Sequence, residues 1–366
     1  MKKRRKIAGL DGLRTLALIG VLLFHTFPGQ FPGGYFGVII FFVISGFLAA
    51  YSAAHQLRKS GSFPVLSYYK KRLIRLYPAL IIVVFCSVAV LAGTDPNKLA
   101  NTQSEVASIL FGYNNYWQMK TKADYFANLS ENSPFTHLWY IAILIQFEVV
   151  WPWLVNLYAL VRKKAGKQSA LLMILALTLL SCLIMPLRIL LQKNIDTGVL
   201  YYDTFCRVFS IMAGVYLGFL YGERKKARGF SSPYVSAVIV VLFVVITWII
   251  YRNVSGDALS VYACGMLVYT IAVSVVLIII LNRKNHVGRY LDLRLAGWIS
   301  RYSYEIYLWQ YPVLFVSQLR GFTSVTGYIG QIVVILILSV WLHDFPSLFR
   351  KQKKNIRKRE RETAHA

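Results

Sequence analysis

IAGLDGLRTLALIGVLLFHTF, residues 7–27, is the stretch on which the fold turns. It is apolar over about the length needed to cross a ~30 Å hydrocarbon core, yet it holds Arg14 and His25. A cation near hydrocarbon costs at least ~2.5 kcal/mol on insertion scales, so both residues need a reason to be there. They stand eleven residues apart, about three helical turns, and so project from nearly the same side of one helix. One inward stripe then carries a permanent cation and, farther along, a titratable base. The plain alternative has Arg14 reaching a headgroup region while His25 sits at the opposite interface.

Working outward, similar apolar stretches recur at about 35–54, 76–93, 135–160, 169–191, 205–222, 234–251, 258–281, 302–318 and 325–342. The pattern predicts an all-α integral membrane protein of about ten spans with both termini cytoplasmic. A hydrophobic content of 57% and a mean hydropathy of +0.52 exclude a soluble globule. The net charge of +26 does not point to nucleic acid, because its distribution follows a membrane topology. With the N-terminus inside, 32 Lys and Arg fall in inner regions and 6 in outer loops, leaving Arg14, Arg188 and Arg207 in or beside spans. The reading places the protein in the plasma membrane, with residues 1–349 as the transmembrane domain. Residues 350–366 form a basic cytoplasmic tail suited to anionic lipid. Lys2–Lys6 is basic, but no small-residue cleavage site follows, so the first segment is expected to be retained.

The four cysteines lie in separate apolar segments, and no metal site or disulfide framework is expected from them. Pro78 is expected near the start of a helix. The longest outer connection, 94–134, carries an amphipathic run and several aromatics, Trp117 among them. Such rings suit sugar binding and a membrane-interface belt alike. Asp203 and Arg207 are four residues apart and suit an intrahelical ion pair. Glu148, Glu305, His343 and Asp344 are further ionisable groups at membrane depth, and Trp309 and Gln310 share a span with Glu305. Gly33, Gly34, Gly37 and Gly46 bracket a span where a backbone or a ligand could come close. A buried His with cations nearby fits a proton relay in a transporter and also a base for acyl transfer. The residues alone leave those two readings open.

Several motifs carry a resemblance. GLDGLRTLALIGVLLFH (9–25) followed by FPGGYFGVIIFFVISGF (31–47) resembles the opening of acyltransferase-3 membrane proteins, in which Arg, ten residues and His precede a GG…GV…FFxxSGF segment. KKRLIRLYPAL (70–80), THLWYIAILIQF (136–147), DTFCR (203–207), ISRYSYEIYLWQYP (299–312) and LHDFP (342–346) continue it in order to the C-terminal end. The resemblance implies an O-acyltransferase that takes acetyl groups from cytoplasmic acetyl-CoA and delivers them to hydroxyls of an outer glycan such as peptidoglycan. Carried over, it makes His25 the essential base and Arg14 its partner, with Tyr304 and Tyr307 in the SYxxYL segment and Glu148 as a nearby carboxylate. Arg72 and Arg75 match the basic inner-loop pair expected to hold the donor with Arg14. His137, Asp203, Arg207, Trp309 and Gln310 fall in matched motifs and, with Gly33, Gly34 and Trp117, are expected on the acceptor side.

The chain departs from the pattern at Leu144 and Ile145, where Glu-Glu is common, and at Gln310, where His is common. Family members often add an extracellular SGNH-type domain, which is not in this sequence; a separate SGNH-type partner is therefore expected as one route to the acceptor. A transporter or flippase, and a homologue without catalysis, are the competing readings.

Overall fold

A computed structural model of the chain describes residues 7–96, 102–121, 133–192, 195–223, 232–282 and 286–363, with side chains as far as 345. Among these residues the fold is helical and has no strand. The basic stretches 2–6 and 224–228, Lys98, Lys122, Tyr125, Phe126 and the tail's side chains lie outside the described residues.

The central helices are α1 (Leu10–Thr26) and α2 (Gly37–Ser60), joined through a 3₁₀ turn at Gly34–Phe36. α2 is the most enclosed helix, because small residues let its neighbours come close. A Cβ at Gly46 would sit 2.0 Å from the Ile211 carbonyl oxygen, and one at Gly214 would sit 2.0 Å from that of Val43. The facing helix, α8 (Thr204–Glu223), thus meets α2 backbone to backbone, the packing that membrane helices use in place of a hydrophobic drive. Gly33 and Gly34 serve the same end. Virtual Cβ atoms there would meet Ile250 O at 2.0 Å and Gly20 O at 2.1 Å, so the close approach expected at both is made by backbone.

Around this centre lie α3 (Val65–Thr94), α6 (Trp139–Leu191), α9 (Pro233–Asn253), α10 (Met266–Leu281) and α14 (Val325–Thr363). α9 turns Val238, Val241, Leu242, Val245 and Ile249 outward, each about half exposed or more. A continuous apolar exterior of that kind belongs in lipid.

Seven helical stretches are long and apolar enough to cross a membrane, against the ten expected. Two features bear on the difference. α6 contains both 135–160 and 169–191, as two helical stretches that meet at Gly166, whose φ of 87° and ψ of 172° only glycine adopts readily. α1 and α13 (Ser303–Leu319) have 17 residues each, about 25 Å, at the lower limit of length for crossing. Pro78 is a second correction: α3 begins at Val65, so the proline lies inside the helix. A proline there removes one backbone bond, a loss that neighbouring helices can make good in a bundle.

α12 (Arg294–Arg301) and α13 pack against α1 and register it. Gly9 N donates to Asp292 (3.0 Å), Ser300 donates to Asp11 (2.8 Å) and Thr15 donates to the Ala296 carbonyl (3.0 Å). This registration carries His25 to the level of Gln310.

Candidate active site

His25 lies in the last turn of α1 and is 4% exposed. Its Nδ1 is 2.9 Å from Oε1 of Gln310. An amide oxygen only accepts, so Nδ1 bears the proton and Nε2 carries the basic lone pair. Beside this pair sits His137, in the 3₁₀ turn Thr136–Leu138 that leads into α6. The two imidazoles are 6.4 Å apart, and Tyr311 fits edge-on to His25 at 4.9 Å and stacked on His137 at 5.0 Å. His137 lies against the backbone of Tyr307 and Leu308, and Nε2 of Gln310 is buried without a hydrogen-bond partner among the described residues.

Below the imidazoles the polar column continues. Tyr307 donates to the His137 carbonyl, and its ring is 5.3 Å from both His137 and Tyr140. Tyr140 in turn lies within electrostatic range of Arg14, whose guanidinium also faces Asp11. The backbone rise of about 16 Å from Arg14 to His25 is therefore bridged by side chains, in the order Arg14, Tyr140, Tyr307, His137, His25. Sequence reading named four of these and missed Tyr140. Its one signal is a position three residues after His137, on the same helical face.

The Arg14 end of the column is cationic. Arg72 pairs with Glu148 at 3.0 Å, both partly buried. Arg75 is exposed and lies in the field of Arg72, Arg14, Glu305 and Tyr304, and among the described residues no carboxylate is in ion-pair contact with it. Tyr304 donates to the Leu76 carbonyl at 2.8 Å, so its hydroxyl joins α13 to α3 instead of pointing into the column. Glu305 meets His343 at 3.0 Å, and Arg301 meets Asp344 at 3.8 Å.

Other expected site residues are placed elsewhere. Asp203 does not pair with Arg207. It caps α8, accepting from Phe205 N at 2.6 Å and Cys206 N at 3.1 Å, and forms an ion pair with Arg188. Arg207 is 3% exposed; its Nε donates to the Tyr201 carbonyl at 2.8 Å, and its guanidinium lies 4.2 Å from the Tyr201 ring and 5.6 Å from that of Trp139. Trp117 stands apart from this column, its Nε1 donating to Ser104 at 3.2 Å. It belongs to a cap of α4 (Thr102–Leu110) and α5 (Asn114–Thr121), built on buried Glu105. Gln118 and Ser133 donate to the two carboxyl oxygens of Glu105. Burial pushes that carboxyl up to about 7, against hydrogen bonds from Ser133, Gln118 and Asn114 that pull it down.

A cationic mouth, a run of phenols and a buried imidazole together can hold a polyanionic donor, pass an acyl group and deprotonate a hydroxyl. Comparison with known proteins agrees in kind. The acyltransferase domain of the acyltransferase-3 type matches residues 7–344. The peptidoglycan O-acetyltransferase OatA of Listeria monocytogenes is 29% identical over 322 residues, 85% of this chain and 50% of that protein. The O-acetyltransferase OatA of Staphylococcus aureus is 27% identical over 344 residues, 93% of this chain and 56% of that protein. The chain thus spans about half the length of the curated relatives it matches. No solved structure matches it. With the domain matched from Ile7 to Asp344 and its opening Arg14–His25 motif built into one polar column, the chain belongs to the acyltransferase-3 family of membrane proteins.

Proposed function

We propose that the protein is a membrane O-acetyltransferase. It takes acetyl groups from cytoplasmic acetyl-CoA and passes them to hydroxyls of an outer glycan, peptidoglycan or another cell-wall polysaccharide. The observation that carries this reading is the column from Arg14 to His25, which joins a cationic mouth to a base at the other end of a short central helix. The names of the relatives support acetyl as the acyl group and a cell-wall glycan as the acceptor.

At the inner mouth, exposed Arg75 and partly exposed Arg72 fit the phosphates of CoA, because a guanidinium bonds two oxygens at once. Arg14 lies deeper and faces the acyl end of the donor. Glu148 holds Arg72 in position while the donor is absent. At the other end, His25 takes the hydroxyl proton of the acceptor on Nε2 as the hydroxyl oxygen attacks the acyl carbon. The glycan is acylated directly or through a separate SGNH-type transferase on the outer side.

The test is transfer of radiolabel from acetyl-CoA in proteoliposomes, with a soluble cell-wall glycan on the side opposite the donor. His25→Ala is expected to abolish labelling while leaving the folded yield unchanged; labelling retained in the variant overturns the assignment. Arg72→Ala combined with Arg75→Ala is expected to weaken acetyl-CoA binding at least tenfold, about 1.4 kcal/mol. Unchanged affinity would move the donor site elsewhere.

A further inference from the structure

The end of the bundle at which α1 begins holds a cavity that the column does not use. Its volume is about 200 Å³, and it lies where the start of α1 meets the end of α10 and α11 (Val287–Tyr290). Glycines make that crossing: a Cβ at Gly288 would sit 2.9 Å from the Ala8 carbonyl oxygen, and Gly9 takes a left-handed φ of 88°. Ala8 and Ile280 give the cavity apolar lining, and Asn282, His286 and Arg289 bring polar groups to it. Among the described residues His286 is the one non-glycine with a positive φ, 55°, so its place in the lining is held against a backbone cost. His286 and Arg289 are exposed, and neither side chain has a hydrogen bond or an ion pair among the described residues. No carboxylate is among the described residues that line the cavity. The acids nearest in sequence are engaged: Glu223 pairs with Arg162 at 2.9 Å, and Asp292 accepts from Gly9 N. An uncompensated guanidinium at the opening of a cavity favours an anion.

The segment that follows says which kind of anion is at hand. α12 is built inside out. Its buried residues, Ala296 and Ser300, meet α1 through hydrogen bonds, while Leu295 (67% exposed) and Trp298 (39%) are turned outward. Tyr290, Leu293, Arg294 and Arg301 are exposed as well. Leucine, tryptophan and arginine interleaved on the outer side of a short helix, at the end of a lipid-facing bundle, suit a position among headgroups. A cavity beside such a helix is within reach of a lipid head, and basic pockets between membrane helices take anionic heads.

We propose that this cavity binds the phosphate head of an anionic phospholipid through Arg289 and His286, and that the bound lipid steadies the start of α1. The second part follows from the bonds that tie residues 292–300 to Gly9, Asp11 and Thr15. A lipid seated at α11 fixes this collar, and with it the helix that carries Arg14 and His25. Lipid binding here is independent of whether the protein transfers an acyl group. A phosphate ester is also what a soluble donor such as acetyl-CoA presents, so the test separates the two sources.

The full chain is placed in nanodiscs of equal phosphatidylglycerol and phosphatidylcholine, and the lipid retained on extraction is counted by native mass spectrometry. Phosphatidylglycerol is expected to be retained over phosphatidylcholine, and Arg289→Ala to lower its retention about fivefold, with a further fall on adding His286→Ala. Equal retention of the two lipids, or an equal loss in Arg320→Ala at the far end of α13, overturns the site. Millimolar inorganic phosphate or acetyl-CoA should leave the lipid in place; displacement by either would give the cavity to a soluble anion and overturn the lipid assignment. For the link to α1, amide exchange at the start of that helix should be slower in phosphatidylglycerol than in phosphatidylcholine nanodiscs, and Arg289→Ala should erase the difference. Equal exchange of the wild-type protein in both lipids overturns the link.

Discussion

At the scale of single residues, Asp203 shows how a spacing can mislead. Four residues from Arg207 it matches an ion pair along a helix, but its backbone is extended (ψ 126°) because it stands just before α8. From that position the carboxylate folds back onto the first N–H groups of the helix, and the partner it finds is Arg188 from α6. Asp203→Ala should therefore destabilise the protein by about 1–2 kcal/mol through loss of the cap, measured by thermal unfolding in detergent. Asp203→Asn, which keeps a capping oxygen, should lose less. Arg14 and His25 were legible because ionisable groups in hydrocarbon are expensive wherever they occur. Tyr140 was not, since a phenol within an apolar span carries no such cost signal, and its nearness to Arg14 and Tyr307 is made by three different helices.

At the scale of elements, the α2–α8 seam depends on the absence of side chains. Gly214→Val would drive a branched side chain into the Val43 carbonyl, and folded yield should collapse. Gly93→Ala, on α3 with no atom within 4 Å of the added Cβ, should change stability by less than about 0.5 kcal/mol. Fluorescence size-exclusion profiles of the two variants make the comparison. The connection 94–134 carries an amphipathic run in sequence, and residues 102–121 fold as a pair of short helices closed over Glu105. The Glu105 carboxyl titrates near 7 when folded and near 4.5 when exposed, so the folded cap binds more protons than the open one between those values. The stability contributed is complete below about 4.5 and is lost as pH rises through about 7. Amide exchange in residues 102–121 should accordingly speed up between about pH 4.5 and 7 beyond the intrinsic chemical rate. Glu105→Gln should remove that excess; an excess unchanged in the variant would assign it to another group.

At the scale of the whole molecule, hydropathy gave the class of fold and the apolar segments. It does not fix helix ends: α1 and α13 have 17 residues each, and the break at Gly166 is invisible to a composition window. From the charge bias we propose that both termini lie on the cytoplasmic side. A C-terminal epitope should then resist impermeant labelling in intact cells and become reactive on permeabilisation, whereas labelling of intact cells would invert the arrangement.

The two short helices have a consequence of their own. They carry His25 and Gln310 within a bundle whose other long helices extend farther. Moving one elementary charge across a membrane involves about 2.3 kcal/mol per 100 mV. On the proposed route, acetyl leaves the carrier's sulfur without the bonding pair, so one formal positive charge moves with it, and an acceptor proton returned along the column to that sulfur cancels it. Turnover with that return should be indifferent to an imposed potential, whereas slowing by an inside-negative potential would show that the proton is released on the acceptor side instead.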